Sequence, residues 1–221
     1  MHAPSGGTSP AGNVSCQYTP HSTANVNGYT VTGASNTNGN PASFSVMLNA
    51  NSSNKNVIGF PADQCLLYSP TMPSDLTSSY DITPPAGSGL DYEFAYDIWI
   101  NTPANLESSD AWTGQTEIMY WVYNNGQRPA TGTGSPIATL PGGAALWYCS
   151  TSCDNYSEPI ISIVAPENTT SGTLNVTNLV NELHSLGYDT AQTGIIDVEF
   201  GIEAPYGGGK TFRVNSLSVG E

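Results

Sequence analysis

At 221 residues the chain is long enough to bury a substantial core, a length at which one all-β domain is common. Only 10% of its residues are charged, and four basic residues (Lys55, Arg128, Lys210, Arg213) stand against 18 acidic ones. The resulting charge of −14 argues against nucleic acid and anionic membranes as partners, and no apolar run approaches the roughly 20 residues of a membrane span. Solubility rests instead on Ser, Thr, Asn and Gly, which suits a secreted protein facing a neutral polymer.

Residues 1–12 are rich in Gly, Pro and Ser and read as a flexible N-terminal segment ahead of one domain over 13–221. Met1-His2-Ala3-Pro4 has no signal-peptide character and reads as a start on a trimmed mature chain. Short alternating runs then follow one another between turn residues. Strands are expected at 43–48, 56–60, 92–101, 116–123, 145–149, 160–164, 195–203 and 211–219. Asn124-Asn125-Gly126 carries a hairpin turn signal, and Gly207-Gly208-Gly209 marks a break before the last strand. One segment departs from alternation. Val176, Leu179, Val180, Leu183 and Leu186 recur at helical spacing, with Asn175 as N-cap and Gly187 where a helix end wants a left-handed residue. The pattern predicts an all-β fold: a β-jelly roll sandwich of two curved antiparallel sheets, with this one helix packed on the outer face.

Four cysteines allow three pairings. Cys149 and Cys153 can close a small loop, which leaves Cys16 and Cys65 to tie the N-terminal strand to a later one. His2, His21 and His184 lie on unrelated segments, so no metal site is expected and disulfides fit an oxidising compartment. Sequons at Asn13, Asn51, Asn155, Asn168 and Asn175 agree with export, although an Asn/Ser/Thr-rich chain produces such triplets by chance. His184 is expected to be solvated.

The chemistry-bearing residues are carboxylates on strands. Alternation places Glu117 on one face with Met119, Trp121 and Tyr123, and Glu203 on one face with Asp197 and Glu199, opposite Ile196, Val198, Phe200 and Ile202. In the strand at 92–101, Glu93, Asp97 and Trp99 share a face, opposite Tyr92, Phe94, Tyr96, Ile98 and Ile100. If the 92–101 and 116–123 strands are neighbours, Asp97 sits beside Glu117. One carboxyl then keeps its proton and hydrogen-bonds the other. Glycoside cleavage uses two carboxyl groups flanking the scissile bond. A gap of roughly 5 Å gives direct attack and retention, and one of roughly 6.5–9.5 Å admits a water and gives inversion.

Three segments occur in order: Tyr96-Asp97-Ile98-Trp99, Glu117-Ile118-Met119-Tyr120-Trp121, and Gly201-Ile202-Glu203-Ala204-Pro205-Tyr206-Gly207-Gly208. Together with Asn56-Val57-Ile58-Gly59-Phe60-Pro61 and the late helix, they resemble glycoside hydrolase family 12, the endoglucanase and xyloglucanase family. The resemblance implies a jelly roll with an open concave cleft, a β-1,4-glucan substrate, no cofactor, and a retaining double displacement. It places Glu117 at the nucleophile, Glu203 at the acid/base and Asp97 at the nucleophile's carboxylate partner, with Met119 and Trp121 on the sugar-contacting face. Trp99, Trp147 and Glu199 are further candidates for substrate binding. Glu199 either raises the pKa of Glu203 by like-charge repulsion or binds a sugar hydroxyl. Trp112 is expected on a loop or rim, and Tyr120 in the core.

One departure is the missing Trp near the N-terminus, and another is Tyr120, which stands where an aliphatic residue is common. The Asn-x-Trp-Gly segment usual near the family's N-terminus is replaced by Asn25-Val26-Asn27-Gly28-Tyr29, without a Trp. Family 11 xylanases share the fold but usually carry Tyr residues directly after the nucleophile, where Ile118-Met119 stands here. The expected function is a secreted, monomeric endo-β-1,4-glucanase. The alternatives are a xyloglucan-specific endoglucanase, a family 11-like xylanase and a non-catalytic glucan-binding jelly roll.

Overall fold

The computed structural model describes residues 16–21, 29–35, 42–48, 59–87, 89–129, 134–151, 157–205 and 208–221. Among these residues thirteen strands and two helices follow in the order β1 (Cys16–His21), β2 (Tyr29–Ser35), β3 (Ala42–Leu48), β4 (Phe60–Ser69), β5 (Thr77–Thr83), β6 (Tyr92–Asn101), α1 (Pro103–Leu106), β7 (Thr116–Asn125), β8 (Ala138–Thr139), β9 (Ala145–Cys149), β10 (Ile160–Val164), β11 (Ser171–Asn175), α2 (Val176–Ser185), β12 (Gly194–Glu203) and β13 (Lys210–Gly220). They form the expected two-sheet jelly roll. One sheet runs β1-β4-β12-β6-β7-β10-β9-β8 and the other β11-β5-β13-β3-β2. All pairs are antiparallel except β7 with β10, which run parallel because the β8–β9 excursion intervenes.

The core lies between the sheets. Phe94, Tyr96, Ile98 and Ile100 from β6, Val198, Phe200 and Ile202 from β12, and Phe44, Phe212 and Val214 from the second sheet supply much of it. Helix α2 adds Val176, Leu179, Val180 and Leu183 to the same cluster. Its N-terminus is capped as expected, the Asn175 side chain accepting from the Asn178 backbone N–H at 2.8 Å. The helix stops at Ser185, one residue short of the expected end, so Leu186 is an exposed C-cap rather than a member of the apolar stripe. Gly187 follows at φ +89°, a left-handed position that a side chain would strain.

Three other expectations are corrected. The strand expected at 56–60 begins at Phe60 and runs to Ser69, while 56–58 lie outside the described residues. Pro61 and the polar pair Asp63-Gln64 hid its alternation. Second, the β6–β7 register slips between Phe94 and Ala95, which pair with Tyr123 and Trp121. The extra residue on β7 turns Tyr123 to the core, where it stacks on Tyr92, so it does not share a face with Glu117. Third, a slip between Ile195 and Asp197 in β12 puts Ile195 in the main core cluster, a place expected of Ile196.

Cys16 and Cys65 face each other across β1 and β4 and are joined by a disulfide. Cys149 is also disulfide-bonded, and Cys153 lies outside the described residues. So do residues 1–12, Asn13, Asn51 and Asn155. The Cys16–Cys65 bridge spans a sequence separation of 49 residues, long enough to restrict the unfolded chain appreciably. A Cys16→Ser, Cys65→Ser double variant is expected to lose about 3 kcal/mol. In calorimetry that is a fall in Tm of about 10 °C. An unchanged Tm would contradict it.

Candidate active site

The larger sheet has one face on the core and one face outside, and strand alternation sorts the acids onto the outer face. Cross-strand register orders them into rows. In one row Ser162 of β10 lies opposite Trp147 of β9 on one side and Met119 of β7 on the other. The row continues through Asp97 of β6 and Glu199 of β12 to Gln64 of β4. Glu117, Trp99 and Asp197 form a second row beside it. Trp121, Ala95, Gly201 and Ala62 form a third, and Glu203 faces Glu93 in a fourth. Gly201 is required there, because a Cβ would come within 2.5 Å of the Pro61 carbonyl and 2.8 Å of the Ala62 methyl.

Glu117 and Glu203 thus stand at opposite margins of one strip, with small and flat side chains between them. Glu117 is nearly buried and its carboxyl is pushed up to about 8. Burial is the main cause, followed by the charges of Glu203 and Glu199, while a hydrogen bond with Asp97 pulls it back. Asp97 is held well above the usual carboxylate range by burial and then by the charge of Glu117. It therefore keeps its proton and donates it to Glu117, the arrangement expected from neighbouring strands. Glu203, half-buried at the end of β12, is raised by burial and lowered by a hydrogen bond with Glu93.

Other candidates fall on the same face with different exposures. Trp99 and Trp147 are half-exposed. Trp121 is 2% and Met119 5% exposed, and they pack with Ala95 and Ile160 in a second, smaller apolar cluster, so they are floor rather than open platform. The indole N–H of Trp121 is buried without an acceptor, a donor left available. Trp112, in the loop before β7, donates from Nε1 to the Tyr68 hydroxyl at 3.2 Å and meets Trp99 edge-on at 5.8 Å. Tyr120 packs against the core as expected. His184 is half-buried rather than solvated, and burial lowers its pKa. Tyr29 belongs to β2, and residues 22–28 before it lie outside the described residues.

Glu199 sits among the acids and Gln64 of the neighbouring strands. Its charge raises Glu117, Asp97 and Asp197, and it accepts from Gln64 Nε2 at 2.9 Å. Gln64 also donates to Asp197 at 2.6 Å. The strand register explains this, since Glu199 lies beside Asp97 while Glu203 lies two rows away beside Glu93. Gln64 and Glu93 were missed as site residues. The signal for Glu93 was present in its shared parity with Asp97, whereas Gln64 sat in a strand whose alternation was not recognised. Among the described residues no cluster of three or more His, Cys, Asp or Glu is arranged to hold a metal, and no helix is long and apolar enough to cross a membrane.

Known structures share this architecture. The xyloglucanase domain of NopAA, a type three effector from Sinorhizobium fredii, in complex with cellobiose, superimposes with a TM-score of 0.72 at 19% identity, covering 97% of this chain and 99% of that one. Trichoderma harzianum endoglucanase 3 gives 0.68 at 23% identity, covering 92% and 94%. The catalytic domain of Humicola grisea Cel12A, soaked with a thio-cellotetraose, gives 0.67 at 18% identity, covering 86% and 83%. At these identities the likeness speaks for the fold, and no curated protein sequence matches the chain. The family model does match, over residues 18–220, and it is that of glycosyl hydrolase family 12 rather than of the family 11 xylanases. The chain therefore belongs to glycosyl hydrolase family 12 and is a glycoside hydrolase.

Proposed function

We propose that the protein is a secreted, retaining endo-β-1,4-glucanase. The observation that carries this reading is that Glu117 and Glu203 share one sheet face, that the charge of Glu203 reaches Glu117, and that each has a carboxyl partner of its own. Glu117 attacks the anomeric carbon, forming a covalent glycosyl-enzyme, while Glu203 protonates the departing glycosidic oxygen. Water then attacks the intermediate, and Glu203, now an anion, takes its proton.

The electrostatics suit this division. The charge of Glu203 helps to raise Glu117, so the two do not ionise freely together. When Glu203 holds the proton it must deliver, that repulsion vanishes and Glu117 becomes the group that ionises, assisted by the proton on Asp97. The flat rows of Met119, Trp121 and Trp147 suit the apolar faces of glucose rings, and the Gln64, Asp197 and Glu199 side suits their hydroxyls. The substrate is a neutral polysaccharide, in keeping with a charge of −14, and the disulfide fits an oxidising, extracellular setting. The chain is read as acting as a monomer.

The test is hydrolysis of a cello-oligosaccharide series followed by NMR during the first turnovers. New reducing ends should appear as the β-anomer before mutarotation. An α-anomer appearing first would overturn retention, and binding without new ends would leave a glucan-binding module. Xyloglucan belongs in the same assay, because two of the similar structures are described as xyloglucanases.

A further inference from the structure

Glu93 is a buried acid that the double displacement does not use. It lies on β6 directly opposite Glu203 on β12, both on the outer face of the larger sheet. It is 0% exposed. Among the described residues no donor group reaches either of its carboxylate oxygens. An ionised carboxylate left that way, without water or a donor, would cost several kcal/mol. The charges of Glu203 and Asp97 nearby would add to that cost. The protonated form has no such difficulty, provided its O–H finds an acceptor. The Glu203 carboxyl, directly opposite across the strand pair, is the acceptor placed to take it.

We propose that Glu93 keeps its proton throughout turnover and donates it as a hydrogen bond to Glu203, as the positioning residue of the acid/base. This rests on the reading of Glu203 given above. Glu93 touches neither the sugar nor the reacting atoms. Its O–H does two things through Glu203. It fixes one carboxyl oxygen, so that the other is the one presented to the leaving group. It also stabilises the anion left once Glu203 has surrendered its proton, which makes Glu203 a readier donor in the first step. No proton leaves Glu93 in either step. The pair parallels Asp97 with Glu117, so each main carboxyl is held by a neutral acid on β6, four residues apart along that strand.

The experiment compares Glu93→Gln, which keeps a neutral donor of the same shape, with Glu93→Leu, which has none. Two substrates are used: an unactivated cello-oligosaccharide, whose departure needs a proton, and a dinitrophenyl β-cellobioside, whose leaving group departs without one. Glu93→Leu is expected to lose about tenfold or more in kcat/KM on the first while nearly sparing the second. The basic limb of its pH profile on the first should move upward, because Glu203 has lost a donor that favours its anion. Glu93→Gln should leave the limb in place. A limb that moves downward in Glu93→Gln would mean that Glu93 is normally charged, and equal losses on both substrates in Glu93→Leu would mean a merely structural role; either overturns the proposal. If Glu93→Leu does not fold, infrared spectroscopy decides. In the wild-type minus Glu93→Gln difference spectrum at pH 7 a protonated-carboxyl C=O band should remain once the bands of Asp97 and the other buried acids cancel, and its absence refutes a proton on Glu93. A failure of the Glu203 reading would show itself separately. Glu203→Ala would then lose both substrates alike, while the infrared band of Glu93 would be unaffected by that outcome.

Discussion

Glu117→Gln should lower hydrolysis of cello-oligosaccharides by about 10⁴-fold or more while leaving the fold intact. The amide fits the same space, accepts the Asp97 hydrogen bond through its oxygen, and cannot attack the anomeric carbon. Stability should not fall. The variant removes a buried acid that burial and the charges of Glu203 and Glu199 already disfavour, so Tm at neutral pH should hold or rise. Truncation to Glu117→Ala with added azide asks the sharper question. Azide entering the vacated space attacks the anomeric carbon from that side and gives an α-glycosyl azide. In Glu203→Ala the glycosyl-enzyme still forms on Glu117 from a dinitrophenyl β-cellobioside, whose leaving group needs no proton, and azide attacking it from the opposite side gives the β-product. Opposite anomers from the two variants would assign both carboxyls at once. Retained turnover in Glu117→Gln, or the same anomer from both alanine variants, would reject the assignment.

Strand parity made the face that carries the candidate acids legible in the sequence, because a period of two sorts residues without knowledge of their partners. Glu117, Asp97 and Glu203 fell on the outer face because none of the three lies beyond a slip that inverts its parity relative to the others. Tyr123 was misplaced because the β7 irregularity is set by its partner β6, and nothing in Thr116–Asn125 announces it. Ile195 and Ile196 were exchanged for the same reason, two like side chains standing side by side at the slip. The helix was readable because its cap and its period agree. Gln64 was missed because β4 is buried on both faces over its first half, which erases alternation. The exposure of Trp121 was out of reach for a different reason. Parity says which face a ring is on, and only packing against Ala95, Met119 and Ile160 says how much of it remains open.

Asp63 carries the second large effect, on stability. It lies on the core face of β4, opposite Phe200, fully buried, and among the described residues neither oxygen has a partner. Burial alone pushes its carboxyl from 3.8 to about 7. In the unfolded chain it ionises near the lower value. Between the two the folded protein holds a proton that the unfolded chain has released, so stability declines as pH rises through this window and levels off above it. At about 1.4 kcal/mol for each pH unit of the window, the full loss is about 4 kcal/mol. Asp63→Asn cannot ionise and should lack this component. Urea denaturation of both proteins at pH 4, 5.5 and 7.5 isolates it, since the acids of the outer face contribute alike to each and none of them is among the causes that shift Asp63. The variant should gain on wild type by about 4 kcal/mol between the first pH and the last. Parallel stability profiles would mean that Asp63 is charged in the folded protein and has found a counter-group. The same carboxyl favours an acidic working range: below pH 5 the core holds a neutral acid, and the cost of burying a charge there is not incurred.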